Sequence, residues 1–248
     1  SVKGFGENVV NTLYDLGQTE YESFLEVLIA LSSNSINKTI VNKLIRINYF
    51  KKYGDVNTLL EIARLYDLLN GAKQISKDKA EKNNIPFDIL AKHGNETAKQ
   101  FNKLDSAQII EELISEIPYR ELTLKERLDN QREVLGIVSD SNPKASKRLY
   151  YVSDLDVKKS VVNAQFFEIY SGKTRTVKMW TSAYNRNPFS KGDILYIIKL
   201  DKKHQKEPTG EINPVTGKKV YQEVPDKYEF WLNRFVIKND IEEVEEDL

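Results

Sequence analysis

The apolar residues of this chain change their period once, near residue 148, and that single change limits the fold more than any other feature. Before it they recur at helical spacing. Val9, Val10, Leu13, Tyr14 and Leu16 make one stripe; Phe24, Leu25, Leu28, Ile29 and Leu31 make a second. Ile40, Val41, Leu44, Ile45 and Ile47 make a third, and Leu59, Leu60, Ile62, Ala63, Leu65 and Tyr66 a fourth. Gly17 is placed to end the first helix, and Asn37 or Thr39 to cap the third. Residues 70–105 are rich in Lys, Asn and Asp and read as a flexible or loosely packed helical connector, broken at Ile85-Pro86. The helical pattern returns over 106–135, with Asp105 or Ser106 as its cap.

After residue 148 the runs are short and β-prone: Tyr150–Val152, Val161–Tyr170, Thr174–Trp180, Asp193–Leu200, Lys219–Val224 and Tyr228–Ile237. Turn-forming residues separate them, among them Ser171-Gly172, Lys191-Gly192 and Asn213-Pro214-Val215-Thr216-Gly217. Five or six strands in so short a span suit a small closed barrel better than a sandwich, which takes about seven. The expectation is therefore an α+β chain, helical first and a five-stranded barrel second.

Charge is segregated along the same division. The net charge of the whole is zero, yet residues 131–238 hold 20 Lys and Arg against 12 Asp and Glu, and residues 239–248 hold six acids and no base. A basic body with an acidic tail suits a polyanion-binding domain. Cysteine is absent, which excludes disulfides and thiol chemistry and makes the cytoplasm the natural compartment. No apolar run approaches a membrane span, so no membrane partner is expected. The chain opens without Met and inside a motif, as a piece of something longer would.

Two features carry binding chemistry. Gly4-Phe5-Gly6 stands at the mouth of the first helix, where exposed amides and the helix dipole suit a phosphate, with Lys3 adding a mobile charge. The second is the hairpin about Ser171-Gly172-Lys173. If Tyr170 opposes Thr174, then Phe166, Glu168, Tyr170, Thr176, Lys178 and Trp180 share the outward face. Gln165, Phe167, Ile169, Arg175, Val177 and Met179 then share the inward one. Aromatics interleaved with cations are what single-stranded nucleic acid requires. Phe166, Tyr170, Lys173, Arg175, Lys178 and Trp180 are the candidate contacts. No catalytic centre and no metal site is expected: His93 and His204 lack ligand partners at metal-binding spacing, and there is no P-loop or dinucleotide fingerprint. Asp154 and Asp156 are the best carboxylate pair, weighed as a small metal-dependent nuclease and set below a strand-end turn.

The order of segments resembles the C-terminal half of bacterial DNA polymerase III α subunits. Val2-Lys3-Gly4-Phe5-Gly6-Glu7-Asn8 resembles the opening of that family's tandem helix-hairpin-helix segment. Tyr21 to Leu28, Asn37 to Ile45, Asn48 to Gly54 and the Leu59-Leu60 helix follow in the family's order. Gln131-Arg132-Glu133-Val134-Leu135-Gly136-Ile137 resembles the segment leading into its OB domain. The resemblance implies a helix-hairpin-helix module over 1–69, a helical connector over 70–135, an OB-type barrel over 136–238 and an acidic tail over 239–248. It also implies double- and single-stranded DNA as partners. Duplex phosphates would be held by Lys3, Gly4, Phe5 and Gly6, with Asn37, Lys38 and Thr39 as a second copy lacking the Gly-x-Gly. The sliding clamp and other replisome subunits are further implied partners, although Gln108 to Leu113 is a poor clamp-binding peptide and reads better as an amphipathic helix. The catalytic palm would precede Ser1, so this segment needs no cofactor while its parent polymerase would use Mg. A protein-interaction module using the barrel's aromatic face is the alternative.

Overall fold

The computed structural model describes residues 5–241, and the chain divides into two units, Ser1–Leu122 and Thr123–Leu248. It is α+β, with nine α-helices, a three-stranded sheet and a mixed five-stranded sheet among the described residues. No helix among them is long and apolar enough to cross a membrane.

In the first unit, the four expected helical stripes become α1 (Glu7–Leu16), α2 (Phe24–Ser33), α3 (Lys38–Arg46) and α4 (Val56–Leu69). Each start after the first has a side-chain cap. Ser23 accepts from the Glu26 amide, Asn37 from that of Ile40, and Asp55 from those of Asn57 and Thr58. Thr39 is not the cap. The buried faces, Phe24, Val27, Leu28 and Leu31 on α2, Ile40, Leu44 and Ile45 on α3, and Leu59, Ile62 and Tyr66 on α4, form one core.

The turn between α2 and α3 is defined bond by bond. The Asn34 side-chain amide donates to the Ala30 carbonyl at 2.9 Å, Ser35 adopts φ 61°, and the Ile36 amide reaches back to the Leu31 carbonyl at 3.0 Å. Ile36 is buried and Asn37 opens α3. Satisfying the last carbonyls of α2 requires the left-handed residue, which costs Ser35 strain that glycine would not feel.

Residues 70–105 hold two helices as expected, but they are packed and share the span with three short strands. This stretch folds as β1 (Gln74–Ser76), α5 (Lys77–Lys82), α6 (Phe87–Lys92), β2 (Asn95–Glu96) and β3 (Gln100–Asn102), with strand order β1-β3-β2. Most of its few apolar residues point inward: Ile75, Ala80, Ile85, Ile89, Leu90, Phe101 and Leu104 are buried with Ile109, Ile110 and Leu113 of α7 (Ser106–Ser115), while Phe87 is exposed. The α5–α6 turn repeats the α2–α3 turn. Asn83 donates to the Lys79 carbonyl at 2.8 Å, Asn84 has φ 54°, and the buried Ile85 bonds back to Ala80 at 2.9 Å. The break expected at Ile85-Pro86 is this turn.

The second unit begins with α8 (Leu124–Leu135), which Thr123 and Glu126 start as a capping box and Gly136 ends in the left-handed region at φ 76°. The sequence pattern assigns α8 to the connector. Instead Leu124 and Leu128 pack with Leu149, Tyr151, Phe167, Ile169 and Ile194, closing one end of the sheet. The strands are β4 (Leu149–Val157), β5 (Val161–Glu168), β6 (Thr174–Trp180), β7 (Ile194–Ile212) and β8 (Lys219–Ile237), with the short α9 (Thr181–Tyr184) after β6. They pair as β4-β5-β6-β8-β7, and β7 pairs back to β4, so the strands form a ring. All pairs are antiparallel except β6 with β8. Val152, Val162, Ala164, Phe166, Val177, Leu195 and Leu232 fill its interior.

Two strands differ from expectation. The runs Lys219–Val224 and Tyr228–Ile237 are one strand, and β7 continues past Leu200 to Ile212. From Lys203 and Glu229 outward, β7 and β8 pair only with each other and form a two-stranded arm. Asn213 turns its tip, accepting the amides of Val215 and Thr216, both at 2.9 Å.

Candidate nucleic-acid interface

The hairpin register decides which side chains β5 and β6 offer to solvent. Phe167 pairs with Thr174, Phe166 with Arg175 and Gln165 with Thr176, three residues away from the assumed Tyr170–Thr174 register. Ile169 is the cause. It is fully buried against α8 and β4, its amide bonded to the Leu149 carbonyl and its carbonyl to the Asn142 amide. Held there, it cannot continue the ladder, and the hairpin closes early at Glu168 and Lys173, with Gly172 at φ 70°.

The odd slip turns the faces of β5 over while leaving those of β6. Phe166 is therefore a core residue at 0% exposure, and its expected stacking role is withdrawn. Arg175 points inward at the ring's mouth, its guanidinium 3.2 Å from Glu168 and over the rings of Phe230 and Tyr150. Tyr170 is half-buried, with the Lys147 ammonium over its ring, and Lys173 is exposed in the turn. Thr176, Lys178 and Trp180 do face outward, beside Asn163 and Gln165 of β5.

Trp180 is 53% exposed and lies against Trp231 of β8, with ring centroids 4.6 Å apart. The parallel pairing of Lys178 with Trp231 creates this neighbour from 51 residues further along the chain. The Lys203 ammonium lies 5.2 Å from the Trp231 ring. Lys178 is ion-paired to Glu229, whose other oxygen accepts the Trp231 indole N–H at 2.6 Å. Burial works to raise the Glu229 carboxyl, but the hydrogen bonds from Lys178 and Trp231 and the nearby lysine charges outweigh it and hold it low. One step out along the arm, Tyr228 stacks on His204 at 4.6 Å with Lys202 3.7 Å from its ring. Sequence reasoning missed Trp231, Lys203 and Glu229. The cluster Tyr228-Glu229-Phe230-Trp231 was the available signal, legible only as a strand.

At the other end of the chain, Lys3 and Gly4 lie outside the described residues. Phe5 packs against the helical core, and Gly6 is extended at φ −77° as the N-cap of α1 with no side-chain cap. No positive φ is used at Gly6, and a Cβ there would meet open space. In the second copy the Asn37 side chain is already engaged as a cap, while Lys38 and Thr39 are exposed on the first turn of α3.

Asp154 and Asp156 do not converge on a site. Lys191 lies 2.7 Å from Asp154 and holds its carboxyl low, and Lys158 lies 3.1 Å from Asp156. Among the described residues no group of three or more His, Cys, Asp or Glu is placed to hold a metal. His93 is bonded to Glu112 at 2.6 Å.

No family model, curated protein or solved structure matches the chain.

Proposed function

We propose that this chain is a non-catalytic DNA-binding segment of a DNA polymerase III α-like replicase, in which a helical hairpin module holds primer–template duplex and an OB-type barrel guides single strand. The observation that carries the reading is the exposed Trp180 ring, lying on the buried Trp231 and flanked by Lys178 and Lys203, on the outer face of β6 and β8. Aromatic faces beside cations take successive bases and their phosphates with little regard to sequence. The strand order supports the barrel assignment: OB folds bind oligonucleotides on the face of their second and third strands and the loops beside it, which correspond here to β5, β6 and the arm. The matching α2–α3 and α5–α6 turns support a hairpin module, and the exposed start of α3 suits a phosphate.

The test is fluorescence anisotropy of labelled single-stranded and duplex oligonucleotides at two salt concentrations. Binding should weaken as salt rises. Trp180→Ala should lose about 1–3 kcal/mol of single-strand affinity. Absence of binding at low salt, or binding indifferent to salt, would sink the proposal.

A further inference from the structure

Glu229 is placed oddly for a binding face that favours polyanions. Its carboxylate sits where three groups suited to an anion converge: the Lys178 ammonium, the Trp231 indole N–H and, just beyond, Lys203. Three other carboxylates on this unit differ. Asp154 and Asp156 are more than half exposed and are ion-paired to Lys191 and Lys158 respectively. Glu168 is enclosed at the ring's mouth by Tyr150, Ser171 and Arg175, where the rings around it are partly buried and form no open platform. Among the described residues, Glu229 is the carboxylate that occupies the donors beside the exposed Trp180 ring, which lies on the buried Trp231.

We propose that Lys178, Lys203 and the Trp231 indole N–H form a phosphate-binding site, and that the Glu229 carboxylate fills it until a phosphate takes its place. A carboxylate and a phosphate accept from the same donors, and the phosphate offers more oxygens and more charge. The proposal rests on the reading of this face as a nucleic-acid interface and specifies it: the ligand group is a phosphodiester whose base lies on Trp180. Glu229 then acts as an internal competitor. It keeps Lys178 oriented and weakens binding of isolated anions, so that base stacking and phosphate contact are needed together. Selection of a strand over a free phosphate follows from that competition.

The chain contains two tryptophans, both in this site, so intrinsic emission reports on nothing else. The experiment compares the full chain with Glu229→Gln, Glu229→Ala and Glu229→Gln/Lys178→Ala. Pyrophosphate titrated against tryptophan emission should give a saturable response in both single variants, about tenfold tighter than in the wild type, the effect of one additional charge-assisted hydrogen bond. The double variant should lose that improvement. With a labelled oligo-dT, Glu229→Gln should bind more tightly at low salt, and its log–log salt dependence should steepen by about 0.7, the increment for one further phosphate on a single strand. Pyrophosphate binding no better than wild type in both single variants overturns the proposal, as does an improvement that survives in the double variant. A pyrophosphate response in the variants with no oligonucleotide binding by any chain would leave the anion site standing and remove the nucleic-acid reading instead.

Discussion

Phe166 separates the two faces of β5 in a single substitution. Its ring is wholly buried, 6.2 Å from Tyr150 and 5.9 Å from Phe189 between ring centroids, with Val152, Val162 and Val177 in the same cluster. Phe166→Ala removes a full aromatic side chain from a site closed on every side, where collapse is limited, so the cost should be about 3–5 kcal/mol. For a unit of this length each kcal/mol moves the midpoint by about 3–5 °C, giving a fall of about 9–25 °C. Thermal unfolding followed by tryptophan emission reads the second unit alone, because both tryptophans lie there, and so avoids mixing its transition with that of the helical unit. Trp180→Ala, on the open face, should shift the same midpoint far less. An unchanged midpoint in Phe166→Ala, accompanied by loss of oligonucleotide binding, would refute the register and put the ring back on the outer face.

Two further outcomes follow from the geometry. Burial first, and then the hydrogen bond to Glu168, pushes the Tyr150 hydroxyl up to about 12, against the lowering effect of Arg175. Because the folded value lies above the unfolded one, its contribution is complete below about pH 10 and is lost as pH rises through about 12. Tyr150→Phe should therefore flatten the alkaline loss of stability between about pH 10 and 12 in urea titrations, and an unaltered slope would contradict the assignment. In the helical unit, Ser35→Gly relieves the left-handed backbone at φ 61° and should stabilise by up to about 1 kcal/mol in chemical denaturation, whereas destabilisation would mean the Ser35 side chain makes interactions that outweigh the strain.

The sequence carried the division into helices and strands because that information is local: periodicity places α1 to α4 and the starts of β4 to β7. What it hid was non-local. The hairpin register depends on Ile169 being anchored by Leu149 and Asn142, contacts that no alternation pattern within β5 and β6 expresses. Trp231 reaches Trp180 only through the parallel β6–β8 pairing. The arm escaped notice because past Lys199 most of β7 is exposed on both faces, so no apolar rhythm marks it as a strand. The three-stranded sheet has strands of two or three residues, too short for a period, and its core draws on single residues from many elements. The α5–α6 hairpin was more accessible, since Asn83-Asn84-Ile85-Pro86 follows the same pattern as Asn34-Ser35-Ile36-Asn37: a side-chain amide, a residue tolerant of positive φ, a buried isoleucine and a helix start.

The arm exposes a backbone row on each outer edge, because its two strands have no further strand neighbours among the described residues. Such rows invite a strand from another molecule, and the chain answers with residues that cannot extend a ladder. Pro208 and Pro225 each remove a donor, the ladder is interrupted between His204 and Lys206 and again between Pro208 and Ile212, and Lys206, Lys218, Lys219 and Lys227 set charges along the edges. Two copies meeting arm to arm thus find broken templates, so an extended ribbon with open edges is a poor seed for self-association.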